Sequence, residues 1–396
     1  MHGVRVLIAP DSFGSSLTAD EAADVIAGAW RSVAPDDDVA TCPLSDGGPG
    51  FVATLHSALG GALVPVTVTS PVGEPVPVAF LLDGSTAYLE SAQAIGLPLV
   101  PADRRDPGRT TTRGVGDLIA AALAAGATRL VVGLGGSATN DAGAGALAGI
   151  AAALGVAGLS DDLARGGAAL GTVTAADVAG LRALRDRLGG VDLVVATDVD
   201  VPLLGLQGAS AGFAPQKGAT PEQAQALERA LADFAHVATG ALGDAVRPDL
   251  MAGARAASAT TRLTTAPGAG AAGGLGFGLA LVGGRLVPGS AFVAEAVGLD
   301  ARIADVDVVV TGEGRFDWQS LHGKAATEVA SRALAHGVPT IVLAGEVLVG
   351  RRELSAAGIT AAYAVADTPD AVRDALAAPA RTLAARAARV ARTWSR

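Results

Sequence analysis

The residues able to do chemistry gather in five short stretches, several of them directly after an apolar run. The densest, Thr311-Gly-Glu-Gly-Arg-Phe-Asp-Trp-Gln-Ser-Leu-His-Gly-Lys324, follows the run 306–310 and brings Glu313, Arg315, Asp317, Gln319, Ser320 and Lys324 together. A general base, a cation to balance phosphate charge and hydroxyl acceptors are all present there, a set that no turn or packing role requires. The stretch 133–145 offers Gly135, Gly136, Ser137, Thr139, Asn140 and Asp141 ahead of a helix. Consecutive amides in such a loop form an anion-binding nest suited to a triphosphate.

The other three are sparser. In Ala196-Thr-Asp-Val-Asp200 the carboxylates of Asp198 and Asp200 follow an apolar strand, the usual way to present oxygen ligands to Mg²⁺. Gln216 and Lys217 come shortly after, just ahead of a capped helix, where a phosphate could sit or where the lysine could simply be solvated. In Ala9-Pro-Asp-Ser-Phe-Gly-Ser-Ser16, Asp11, Ser12 and Ser15 stand at a strand end. They read as substrate or phosphate capture or as an ordinary polar turn. In Ser45-Asp-Gly-Gly-Pro-Gly50, Asp46 is a metal or hydroxyl acceptor, and Gly47 and Gly48 allow close backbone approach; a tight turn with Asp46 as helix cap is the plain alternative.

Two signals carry little. Gly268-Ala-Gly-Ala-Ala-Gly273 matches the dinucleotide fingerprint, but a chain with 53 glycines produces that match freely and no βαβ unit surrounds it. The five histidines (2, 56, 236, 322 and 336) show no metal-ligand spacing, and only His322 falls in a candidate loop.

The elements that must position these loops follow a strand–loop–helix rhythm. Residues 4–9 read as a strand, and Thr18-Ala-Asp-Glu21 is a capping box opening a helix to about 32. A strand at 39–44 and a helix at 50–59 complete a βαβα opening, which predicts parallel pairing with right-handed crossovers. Short strands at 62–68, 76–82 and 86–90, spaced by Pro and Gly, predict antiparallel or mixed pairing and hence a different module. Strands at 129–133 and 192–196 and helices at 113–125, 142–154 and 220–239 follow, the last from the capping box Thr220-Pro-Glu-Gln223. The βα rhythm then returns with a helix 292–303, strands 307–311, 340–344 and 359–365, a helix 325–336 and a terminal Ala/Arg helix.

The expected class is α/β: a doubly wound parallel sheet domain (1–65 with 290–396) and a second, inserted mixed α/β domain (66–289). In open α/β sheets ligands collect at the carboxyl ends of the strands. The expected active site lies in the cleft between the two domains.

Composition narrows the function. A net charge of −10 argues against a nucleic-acid binder, which needs a basic face. One cysteine, Cys42, rules out an intramolecular disulfide and fits a reducing cytosol. No signal peptide or membrane span is expected, so the reading is a cytoplasmic enzyme with a small-molecule substrate, no nucleic-acid or membrane partner, and a homodimer left open.

Taken in order, these loops resemble the glycerate kinase family that carries a flavodoxin-like domain and an inserted second domain. The resemblance spans almost the whole chain, from Ile8-Ala-Pro-Asp-Ser-Phe13 through Thr110-Thr-Thr112, Gly136-Ser-Ala-Thr-Asn-Asp141, Thr197-Asp-Val-Asp200 and Pro215-Gln-Lys-Gly218 to Thr311-Gly-Glu-Gly-Arg315 and Gln319-Ser-Leu-His-Gly-Lys324. It implies phosphorylation of D-glycerate to 2- or 3-phosphoglycerate with ATP and Mg²⁺. On that reading the loop 135–145, Lys217 and Lys324 hold phosphates, Asp198 and Asp200 bind Mg²⁺, and Arg315 pairs with the substrate carboxylate. Asp11, Asp46 or Asp317 would accept the hydroxyl proton. The family pattern has Lys where this chain has Gly14, Glu where it has Pro49, and Gly where it has Ala142. Losing that cation and carboxylate leaves two alternatives in view: a kinase for another small hydroxy-acid or polyol, and a weakened paralogue that binds nucleotide without efficient turnover.

Overall fold

The computed structural model describes residues 3–245, 258–321 and 323–395. His322, one of the candidate-loop residues, lies outside them. The strands in chain order are β1 (Arg5–Ile8), β2 (Asp38–Thr41), β3 (Ala62–Thr69), β4 (Pro75–Asp83), β5 (Thr86–Glu90), β6 (Arg129–Gly133), β7 (Asp192–Ala196), β8 (Arg285–Val287), β9 (Val308–Phe316), β10 (Thr340–Val347) and β11 (Ala361–Ala364). They form two sheets in two compact units, one of residues 1–46, 53–59 and 288–396, the other of 47–52 and 60–287.

In the first unit the sheet order is β11-β10-β9-β1-β2, every pair parallel. Numbered within this unit alone, that is the flavodoxin order, whose switch point lies between β1 and β9. Alternation along the strands explains why helices cover both faces. Val6, Ile8, Val308, Val310, Ile341 and Leu343 pack on helices Ala19–Val33 and Pro379–Trp394. Val342 and Ala344 point the other way, onto Ala326, Ala330 and Leu354 of helices Ala325–Ala335 and Arg351–Ala356. The sheet is therefore doubly wound, as its sequence rhythm requires. The Thr18–Glu21 capping box closes reciprocally at the start of Ala19–Val33. Trp30, fully buried on that helix, donates its Nε1 to Asp37 at 2.8 Å, so its polar edge is not orphaned.

In the second unit the order is β3-β4-β5-β6-β7-β8, antiparallel from β3 to β5 and parallel from β5 to β8. This mixed sheet is what the Pro/Gly-spaced strands predict. Helices Arg113–Ala124, Ala144–Leu154 and Pro221–Leu242 cover it around one apolar core, with the second capping box, Thr220–Gln223, also closed.

Two expectations need correction. The expected strand 307–311 continues to Phe316 because β10 pairs with the added residues, Arg315 opposite Glu346 and Phe316 opposite Val347. The single helix expected over 292–303 is two, Gly289–Ala296 and Leu299–Ala304, because Gly298 between them has φ +66° and ends the helical run.

Candidate active site

The switch point of the first unit collects the carboxylates. Asp11 stands three residues beyond the end of β1; its amide bonds the Gly312 carbonyl of β9 at 2.8 Å, and its Oδ1 accepts the Ser12 amide at 2.6 Å. The extension of β9 sets Glu313 and Arg315 two residues apart, hence on the same face. Burial pushes the half-buried Asp11 carboxyl well above the usual carboxylate range; Asp46 and Glu313 add like charge, while the Ser12 amide and Lys324 oppose the rise. Burial also raises Glu313 to about 7, helped by Asp46 and Asp317 and resisted by the Ser320 hydroxyl and Lys324. Among the described residues, Glu313 Oε1 is buried without a hydrogen-bond partner. So Asp46 and Lys324 act on both Asp11 and Glu313, and Asp317 acts on Glu313, at the end of this sheet.

The turn beyond β9 holds itself together. Ser320 is fully buried, its Oγ accepting from the Asp317 amide and donating to the Arg315 carbonyl, while Asp317 Oδ1 takes the Gln319 amide at 2.8 Å. Gln319 and Arg315 are exposed, and Arg315 makes an ion pair of 3.6 Å with Glu346. Lys324 is the N-cap of helix Ala325–Ala335, which has no side-chain cap. A cation at an uncapped helix start is a place for an anion. Ser12 is half-buried and Ser15 exposed.

In the second unit, the loop 133–145 differs from the expected nest. Asp141, fully buried, occupies the start of helix Ala144–Leu154 itself, accepting from Thr112 N, Thr112 Oγ1, Gly143 N and Gly145 N at 2.8 to 3.3 Å. Thr112 Oγ1 in turn accepts the Ala146 amide. That helix end is already satisfied, so Asp141 is a structural anion there. Asn140 is also buried, donating to Ser210. Thr139 is buried with its hydroxyl directed to the Ala272 carbonyl, leaving half-buried Gly135 and exposed Gly136 as the accessible part of the loop.

Lys217 is buried rather than solvated. Its Nζ donates to Ser137 Oγ at 2.9 Å and to the Thr139 carbonyl at 2.7 Å, while its neighbour Gln216 is exposed. Burial lowers this amine to about 7 against the pull of Asp141. Lys217 thus braces the 137–139 backbone. Asp198, half-buried, and Asp200, exposed, follow β7. Two carboxylates two residues apart suit Mg²⁺, which keeps several waters and takes one or two carboxylates plus substrate phosphates rather than a full protein cage. Among the described residues, no three His, Cys, Asp or Glu side chains gather as a metal site.

The remaining glycines pack. Gly47 has φ +94°, and a Cβ there would lie 2.8 Å from the Ala196 carbonyl oxygen, so only glycine lets this turn reach the end of β7. Gly273 of the apparent dinucleotide fingerprint has φ +70°, and its Cβ would meet the Thr139 carbonyl at 1.9 Å. That motif is an interlock with the loop before helix Ala144–Leu154. Pattern reasoning missed Glu90 and the role of Thr112. Glu90 is buried and accepts the Gly50 and Val52 amides at 3.1 and 3.2 Å, so it occupies the start of helix Phe51–Leu59. Glu90 stands in no motif, and Thr112, though part of Thr110-Thr-Thr112, gives no local sign of its partner Asp141 29 positions on.

Comparison with known proteins decides the lineage. The model of the glycerate kinase family matches residues 6–395. The chain belongs to the glycerate kinase family. Glycerate kinase from Bacillus subtilis is 41% identical over 91% of this chain and 90% of its own. Glycerate 2-kinase from Escherichia coli K12 is 38% identical with the same coverage. The crystal structure of a protein assigned as glycerate kinase 2 from Salmonella typhimurium LT2 superposes with a TM-score of 0.76 at 38% identity, covering 98% of each chain. Family membership makes this chain an enzyme of the kinase type. Of the positions that depart from the family pattern, Gly14 is exposed with φ +59°, and Pro49 lies with its Cγ 3.0 Å from where a Gly136 Cβ would be.

Proposed function

We propose that this chain phosphorylates D-glycerate with ATP and Mg²⁺, giving 2- or 3-phosphoglycerate in the cytoplasm. The observation that carries the reading is the switch-point cluster of the first unit, where a raised, partly orphaned carboxylate stands among like charges and beside Lys324. No structural role calls for that arrangement, and proton transfer from a hydroxyl does. Family membership supplies the reaction class and the substrate. Among the described residues no helix is long and apolar enough to cross a membrane.

The residues take the following parts. Lys324 and the uncapped start of helix Ala325–Ala335 hold an anionic group, and Arg315 pairs with the glycerate carboxylate. Gly135 and Gly136 receive phosphate oxygens, held in place by the Lys217 brace on Ser137 and Thr139. Asp198 and Asp200 hold Mg²⁺, which when bound neutralises charge on the phosphates. A carboxylate of the Asp11–Asp46–Glu313 cluster takes the hydroxyl proton. Catalysis is then mainly positioning and charge stabilisation.

The test is ADP release by the pure protein, coupled to a reporter, across D-glycerate, L-glycerate, lactate, tartronate and glycerol. Turnover confined to D-glycerate supports the reading. Turnover favouring another hydroxy-acid or a polyol replaces the substrate, and nucleotide binding without turnover on any of them overturns the kinase.

A further inference from the structure

We propose that Glu313 is the general base, its carboxylate removing the proton from the glycerate hydroxyl as that oxygen attacks the γ-phosphorus. This rests on the kinase reading above and goes beyond it by choosing among the carboxylates of the cluster. Two observations separate Glu313 from Asp11 and Asp317. Its Oε1 is buried and has no donor among the described residues, whereas Asp11 Oδ1 is engaged by the Ser12 amide and Asp317 Oδ1 by the Gln319 amide. A buried carboxylate oxygen left without a donor is costly and persists in a native fold where a substrate group completes it. Glu313 also stands on β9 itself, at the switch point and fixed by the ladder to β10, rather than on a turn.

The groups that face it complete the picture. Lys324 and the Ser320 hydroxyl favour the charged carboxylate; Asp46, Asp317 and burial disfavour it, leaving it near 7. A base poised there is about half ionised at neutral pH and strong enough to accept a proton in the transition state. In the step, the hydroxyl O–H bond breaks and its proton moves to Glu313. The new O–P bond forms as the bond from the γ-phosphorus to the bridging oxygen breaks, and that electron pair leaves with ADP. Protonated Glu313 then returns its proton to solvent.

The experiment is the pH profile of kcat and kcat/KM for the full chain with ATP, Mg²⁺ and D-glycerate, compared with Glu313→Gln, Glu313→Asp and Asp46→Asn. In the wild type kcat/KM falls about tenfold per pH unit below about 7. Glu313→Gln lowers kcat about 10²- to 10⁴-fold, abolishes the acid limb and leaves ATP binding by calorimetry intact. Glu313→Asp keeps a partial rate and an acid limb. Asp46→Asn moves that limb to lower pH, since a like charge is gone. Lys217 titrates in the same region, but loss of its charge affects the alkaline side, so the two are separable. A Gln variant within about threefold of wild-type kcat, or one that is slow yet keeps the limb at about 7, overturns the assignment while leaving the kinase standing. A wild type without turnover overturns the kinase reading itself.

Discussion

Replacing Lys217 by Met tests whether the amine is held in a dry site. The side chain is 4% exposed, and burial brings it from 10.5 to about 7. At ~1.4 kcal/mol per pH unit, that gap is worth about 5 kcal/mol of native-state cost wherever the lysine is charged in both folded and unfolded chains. Because the folded value is the lower one, the cost is constant below about 7. Above that point the unfolded chain binds the extra proton, so stability rises with pH until about 10.5. Met fills a similar volume and carries no proton, so Lys217→Met lacks this slope. It also leaves Ser137 Oγ and the Thr139 carbonyl without their donor, at ~1–3 kcal/mol each. The two effects oppose, and the variant at neutral pH lies within about 3 kcal/mol of wild type. The decisive quantity is the difference between the two proteins by urea denaturation. It shifts in favour of wild type by roughly 2 kcal/mol between about pH 7 and about pH 9. Other titrating groups are common to both and cancel. A difference that does not change with pH would refute the reasoning, because the lysine would then be solvated or kept charged by Asp141.

Further outcomes are specific to single positions. Ala142 holds φ +53°, a conformation that costs a non-glycine residue ~1–2 kcal/mol, so Ala142→Gly raises stability in urea by about 0.5–1 kcal/mol after the added chain entropy of glycine. Glu90→Gln weakens the anchor on Gly50 and Val52, costing about 1–2 kcal/mol and speeding hydrogen exchange at the Val52 amide. The double change Asp198→Asn with Asp200→Asn raises the Mg²⁺ concentration for half-maximal rate about tenfold or more; an unchanged requirement removes the metal assignment from this pair.

Much of the fold was legible because local signals agreed with the tertiary outcome. Strands 86–90, 129–133 and 192–196 are bounded where their apolar runs end, and both capping boxes close as their Thr-x-x-Glu/Gln spacing dictates. The signals fail where a partner far along the chain decides the structure. Gly312 to Phe316 have no strand pattern of their own and are extended only because β10 pairs with them. The same reason hid much of the site. Lys217 sits between Gln216 and Gly218, a setting that reads as a phosphate contact or a solvated side chain, yet its amine is consumed 78 and 80 positions back. Asp141 looked like a ligand group in a glycine loop, but Thr112 and the first helical amides use its oxygens. Glu90 gave no signal because the helix start it occupies lies 38 and 40 residues earlier. Glycine-rich loops mark where backbone comes close, and only the fold separates approach to a ligand from approach to other backbone.

Phosphorus NMR of the pure protein with ATP, Mg²⁺ and D-glycerate follows the transferred phosphate itself. A new phosphomonoester resonance coupled to a glycerate proton is expected, growing as the γ-phosphate signal of ATP declines. An ATP signal that persists, or one that declines into inorganic phosphate alone, would contradict the kinase reading.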